Sequence, residues 1–191
     1  MSDQCARLRN ISRRSQTSDA SPRPTIYVGG ESEAAKTMIV EQCDAYVMHG
    51  DSVEAIGGKI ADMKQRRAAT GLGPMQFGMA AYAIVRDSEK EARAEQARIT
   101  ALPDTPPKGF DNFDQWLSGT QLEREIKLRD YSVSNRGLMP DLVGTPGQVR
   151  EGIEAYQAAG LDLLLLQMSP QAEEMDRFAD QIIAPMKLSS S

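Results

Sequence analysis

The first chemistry the sequence offers lies at Tyr27-Val28-Gly29-Gly30-Glu31-Ser32, where an apolar run breaks at two glycines and opens into a helix-like stretch over 33–42. Glycines let a backbone turn sharply and let a bulky anion approach, because no Cβ stands in the way. Ser32 is placed to cap the helix, and the amides of that first turn, at the positive end of the macrodipole, suit a phosphate. The same residues also make a plain tight connection between strand and helix, so both readings stand at this point. His49, the single histidine, closes a second apolar run. An imidazole titrates near neutrality and can act as acid or base, or it can simply end a strand. Gln167 and Ser169 follow the last apolar run and are candidate substrate contacts, and Arg136 lies in a loop-like stretch able to fold over the same face.

Alternating strands and helices are what position these residues. After the first strand and helix, 45–48 reads as a second strand ending at His49-Gly50-Asp51, and 52–69 as a helix with Val53, Ile56, Ile60 and Met63 on one face. Gly57-Gly58 weakens that helix and Gly71-Leu72-Gly73-Pro74 stops it. A third strand is expected over 75–85, with Met79, Ala81 and Ala83 alternating against Ala80, Tyr82 and Ile84. A charged helix over 89–102 follows, its Glu, Lys and Arg forming a solvated face. Pro103 breaks the rhythm, and the stretch over about 103–144 reads as an insertion. It carries short helices over 113–117 and 121–128 and a loop over 131–140 containing Asn135-Arg136-Gly137, in the manner of lids and binding segments. Thr145, Pro146 and Gln148 then have the order of a capping box, starting a helix that Gly160 ends. The fourth strand, 162–166, is apolar without alternation, as a strand covered on both faces should be, and a last helix spans 171–183, leaving 186–191 as a tail. Four strands, each followed by a helix, imply an α/β fold with parallel pairing and right-handed crossovers. Ligands then collect at the C-terminal ends of the strands, here 29–32, 49–51, the neighbourhood of Val85, and 167–169.

Composition narrows the classes of function. Of 191 residues 40% are hydrophobic and 26% charged, which fits a globular domain over 24–185 rather than a disordered or fibrous chain. A net charge of −5 argues against a nucleic-acid binder, since phosphate backbones reward a basic surface. No apolar stretch approaches the roughly 20 residues of a membrane span. Cys5 and Cys43 stand in no metal-ligand or C-x-x-C spacing, so no metal site is expected; Cys43 reads as a small buried hydrophobe, and a reducing, cytoplasmic setting fits. Residues 1–23, rich in Arg and Ser, read as a disordered lead-in.

Five segments together carry a resemblance: Tyr27-Val28-Gly29-Gly30-Glu31-Ser32, Asp44-Ala45-Tyr46, Phe77-Gly78 ahead of Ala83-Ile84-Val85-Arg86-Asp87, Leu142-Val143-Gly144-Thr145-Pro146, and Ser169-Pro170 with Glu173-Glu174. In order and spacing they resemble the second half of the bacterial-luciferase-like, flavin-dependent monooxygenases, and within these the alkanesulfonate and dimethylsulfone monooxygenases. The resemblance implies a partial TIM barrel: four parallel βα units, the C-terminal half of a (βα)8 barrel, with an insertion before the last helix-strand-helix. It implies FMN as cofactor, reduced by a separate NAD(P)H-dependent flavin reductase and used with O2 to oxidise a small organosulfur compound, a sulfone or a sulfonate. Gly29, Gly30, Glu31 and Ser32 match the family segment that receives the FMN phosphate. Arg136-Gly137 matches a mobile-loop Arg-Gly able to close over an anionic group.

The departures are informative as well. Ala80 and Tyr82 stand where the alkanesulfonate enzymes keep an Arg and a His, His49 where they place a Trp, and Ser169 where they place a Tyr. These changes favour the sulfone-like branch, whose substrate is neutral. The resemblance makes His49, Tyr82 and Arg136 the catalytic candidates, with the Tyr82 phenol either bonding a sulfonyl oxygen or flavin edge or filling the barrel. A complete barrel has eight strands and typically about 250 residues, so a half barrel with two open edges and an open apolar face is expected here. That implies a homo-oligomer or a truncated product with impaired activity. The alternatives are a non-catalytic remnant binding flavin or a partner, and an unrelated open α/β binding domain.

Overall fold

A computed structural model of the chain describes residues 24–101 and 137–189; the lead-in, the short helices expected inside the insertion, Cys5 and Arg136 lie outside the described residues. The chain divides into two units, Met1–Ala80 with Tyr156–Leu165, and Ala81–Ala155 with Leu166–Ser191.

The first unit holds strand β1 (Tyr27–Gly29), helix α1 (Glu33–Gln42), strand β2 (Ala45–Met48) and helix α2 (Val53–Ala69), all starting within a residue or two of the expected positions. Strands β3 (Gln76–Tyr82) and β6 (Leu163–Gln167) begin in this unit, and the four-stranded sheet has the order β1-β2-β3-β6. Pairing is parallel, with Val28 beside Tyr46 and Tyr46 beside Phe77, and Gly29 beside Val47 and Val47 beside Gly78. Asp44 and Asp162 pin the strand starts, their carboxylates accepting the Ile26 N–H at 2.8 Å and the Phe77 N–H at 2.9 Å.

Side chains alternate along a strand, so this register sorts the sheet into two faces. Tyr46, Met48, Phe77 and Met79 share one, and all are buried together with Ile39 of α1 and Ile56, Ile60 and Met63 of α2. Cys43 is buried as expected, and burial pushes its thiol up to about 11. The other face carries Tyr27, Val47, Gln76 and Gly78, with Leu163 packed beside Gly78. Here Tyr27 is 48% and Leu165 44% exposed. The expectation that the fourth strand is covered on both faces is therefore corrected: β6 stands last in the sheet order, and its leucines are half-buried or exposed.

Helices α1 and α2 are held by charge and by caps. Lys36 reaches Asp62 at 3.2 Å, and Arg66 reaches Glu33 at 2.8 Å and Asp62 at 2.7 Å. Hydrogen bonding from Arg66 lowers the pKa of both carboxyls. Arg67 caps the end of α1, donating to the carbonyls of Val40 and Cys43.

The second unit contains strand β4 (Ile84–Val85), helix α3 (Glu89–Thr100), strand β5 (Val143–Gly144), most of helix α4 (Pro146–Ala158) and helix α5 (Gln171–Phe178). The single third strand expected over 75–85 is broken at Ala83. Backbone partners explain the break: the Tyr82 N–H goes to Gly137 O at 2.7 Å and that of Ile84 to Leu142 O at 2.9 Å, whereas Ala83 turns its N–H to Gln167 O at 3.3 Å. β4 pairs with β5, a strand inside the stretch read as insertion. The expected alternation gives way to burial on both sides, from Ala81 through Val85. The cap of α4 forms as expected, with the Thr145 N–H bonded to Gln148 Oε1 at 2.9 Å. The last helix is corrected too: α5 passes through a π-helical turn, Ala179–Ile183, into α6 (Ala184–Ser189), so residues 186–189 are helical rather than a tail. Glu174 is buried on α5 and paired with Arg86 at 2.8 Å.

Candidate functional site: two strand-to-helix turns

β1 runs into α1 through Gly30-Glu31-Ser32, and β2 runs into α2 through His49-Gly50-Asp51-Ser52. In the first turn a Cβ on Gly29 would stand 3.1 Å from Val47 O, and one on Gly30 would stand 2.8 Å from the Ala35 methyl. A side chain on Gly30 would thus force the start of the helix to shift and one on Gly29 would crowd β2, whatever binds there. Ser32 is extended (φ −68°, ψ 150°) and its Oγ accepts the Ala35 N–H at 3.3 Å. The remaining first-turn amides, those of Glu33 and Ala34, have no intrahelical acceptor, and Glu31 and Ser32 are exposed beside them.

The second turn repeats the cap. Ser52 Oγ accepts the Ala55 N–H at 3.2 Å. Asp51 bonds back to its own turn, Oδ1 accepting the Ser52 N–H at 2.9 Å, and Tyr156 donates its hydroxyl to Asp51 O at 2.7 Å. His49, two residues beyond the Val47 that pairs with Gly29, is exposed at this strand end.

Lys59 of α2 joins the two turns, its Nζ lying 3.0 Å from Glu31 Oε1 and 3.7 Å from Asp51 Oδ2. Tyr46 is fully buried, and among the described residues its hydroxyl has no hydrogen-bond partner. Burial, and after it the charges of Glu31 and Asp62, pushes its pKa up to about 12.

Gly29, Gly30, Glu31, Ser32 and His49 therefore belong to the first unit, while Tyr82, Gln167 and Ser169 belong to the second. Tyr82 is buried in a cluster with Ile84, Ala92, Leu138 and Val143. Gln167 and Ser169 are exposed, and a cis peptide joins Ser169 to Pro170. Arg136 is not described, but its neighbour Gly137 has φ +71°, and a Cβ there would stand 2.8 Å from the carbonyl carbon of Ala81. Among the described residues no group of His, Cys, Asp and Glu is arranged to hold a metal ion. Sequence reasoning passed over Lys59. The available signal was the repeated Gly-acid-Ser of residues 30–32 and 50–52, two acids each one residue before a cap, with two lysines, Lys59 and Lys64, in the second helix.

The luciferase-like monooxygenase family profile matches residues 4–163. The chain is 34% identical over 168 residues to an FMNH(2)-dependent dimethylsulfone monooxygenase of Pseudomonas putida, covering 85% of this chain and 46% of that protein. It is 31% identical over 176 residues to a sulfoquinovose monooxygenase of Novosphingobium aromaticivorans, covering 84% and 48%. The crystal structure of DmoA from Hyphomicrobium sulfonivorans superposes with a TM-score of 0.69 at 18% identity, covering 88% of this chain and 42% of that one, a likeness of fold. The chain spans about half the length of the curated relatives it matches. The expected α/β architecture of parallel βα units from a luciferase-like TIM barrel is borne out.

Proposed function

Since the chain belongs to the luciferase-like monooxygenase family, we propose that it works in an FMNH2-dependent monooxygenase that oxidises a small sulfone or sulfonate with O2, and that residues 29–32 hold the FMN phosphate. The observation that carries this reading is the start of α1: a glycine-closed, exposed turn at the C-terminal end of a parallel strand, with first-turn amides that have no intrahelical acceptor and a serine hydroxyl able to donate. The donor set suits a phosphate. Glu31, the one like-charged group in the segment, is drawn to Lys59.

Reduced flavin, delivered by a separate NAD(P)H-dependent reductase, supplies the electrons for O2. The amides of Glu33 and Ala34 and the Ser32 hydroxyl bind and orient the phosphate. His49 moves a proton at its imidazole, exposed at the end of β2. The Tyr82 phenol donates to a sulfonyl oxygen or a flavin edge, Arg136 closes on an anionic group, and Gln167 and Ser169 contact substrate. The protein is cytoplasmic and a homo-oligomer in this reading. Turnover by the 191-residue chain alone is weak or absent, because the sheet face bearing Tyr27, Val47 and Leu165 is open to solvent.

The test is a titration with FMN followed by flavin fluorescence. Saturable quenching is expected, and a linear signal with no saturation contradicts the reading. Oxygen uptake that depends on dimethylsulfone, with a flavin reductase present, then separates a catalytic chain from one that only binds flavin.

A further inference from the structure

The Ser32 turn presents an electrostatic difficulty for an anion. Glu31 precedes the cap by one residue, and Asp51 holds the same place in the neighbouring turn, so two carboxylates stand just ahead of the helix starts, besides Glu33 and Glu54 in the first turns, where a phosphate would bring further negative charge; Glu33 is already held by Arg66. Lys59 is the cation the two turns share, with Nζ 3.0 Å from Glu31 and 3.7 Å from Asp51. The other basic side chains described in the first unit are spent elsewhere: Lys36 and Arg66 on Asp62 and Glu33, Lys64 over the Phe77 ring, Arg67 on the carbonyls ending α1. Without Lys59 the trio's charge passes from one negative to two. Glu31, with an extra methylene to swing on, is then free to turn toward the exposed amides of its own helix.

We infer that Lys59 is a positioning residue for phosphate binding: by pairing with Glu31 it holds that carboxylate away from the start of α1, by offsetting the nearby charge of Asp51 it lowers the negative field there, and it so keeps the first-turn amides open to an anionic ligand. The inference rests on the proposed phosphate site and adds the residue that makes it anion-tolerant. Lys59 acts through Glu31, not by touching the ligand.

The experiment compares FMN with riboflavin, which lacks only the phosphate, on the full chain. Lys59→Met is expected to weaken FMN about tenfold and leave riboflavin within about twofold, because only the phosphate feels the released carboxylates. Lys59→Arg retains the FMN preference. Adding Glu31→Gln to Lys59→Met recovers most of the loss, and raising the salt concentration shrinks it. Failure of Glu31→Gln to recover FMN binding overturns the inference in favour of direct contact between Lys59 and phosphate. An equal loss of both flavins, with a fall in melting temperature, overturns it in favour of a structural role. Should the unaltered chain bind FMN no better than riboflavin, the phosphate site itself fails. Should it prefer FMN while Lys59→Met keeps that preference, the inference alone fails.

Discussion

The two strand-to-helix turns of the first unit are built from the same three residue types, Gly30-Glu31-Ser32 and Gly50-Asp51-Ser52, and end differently. In both, serine caps the helix through the amide three residues on. Asp51 is short enough to bond back to the Ser52 N–H at 2.9 Å, and Tyr156 occupies its carbonyl. Glu31 is one methylene longer and goes to Lys59 at 3.0 Å; among the described residues the Ser32 N–H receives no such carboxylate. One methylene thus separates a turn whose carboxylate is held by its own backbone from one whose carboxylate is held by Lys59 and whose cap amide is left without it.

The largest effect that would test this contrast comes from Gly30→Ala. The added methyl meets the Ala35 Cβ at 2.8 Å, and the start of α1 has to shift, at a cost of about 2 to 3 kcal/mol in denaturant unfolding. A variant of unchanged stability would show that the turn is looser than its packing indicates.

Ser32→Ala and Ser52→Ala should each cost about 1 kcal/mol, since both remove a cap. Their flavin binding should differ: only Ser32→Ala is expected to reduce the preference for FMN over riboflavin. Equal reductions would erase the distinction between the turns.

A further effect is alkaline. Cys43 is raised from 9.0 to about 11 and Tyr46 from 10.0 to about 12, both first of all by burial. The fold therefore favours their neutral forms. That contribution is complete below about pH 9 and is lost as pH rises toward 12, so stability should decline across this window. Tyr46→Phe should shallow the decline above pH 10 and be neutral or slightly stabilising at pH 7, its hydroxyl having no partner among the described residues. Because Tyr46 senses Glu31 and Asp62, Glu31→Gln should lower its titration midpoint slightly while Asp51→Asn leaves it in place. A pH-independent unfolding curve from 9 to 12 would contradict the burial argument.

What could be read from the sequence was what is decided locally. Ser32, Ser52 and the Thr145-Pro146-Gln148 box start helices through bonds spanning three residues, and each lies where its residue type demands. What escaped was decided at long range. The third strand breaks at Ala83 because Gly137 and Leu142, more than fifty residues on, take the flanking amides. β6 has the composition of a strand buried on both faces, yet its place at the end of the sheet order leaves Leu165 exposed. The π-helical turn at Ala179–Ile183 interrupts an otherwise ordinary helical stretch. At the site, the glycines and the cap were legible and Lys59 was not, since an ion pair across 28 residues leaves no periodic trace.

Which helix start meets the phosphate is read most directly from amide chemical shifts recorded with FMN and with riboflavin. FMN should move the Ser32, Glu33 and Ala34 amides well beyond anything riboflavin does, while those of Ser52, Val53 and Glu54 stay nearly still. Matching shifts with both flavins at the first turn, or the larger FMN response at the second, would contradict it.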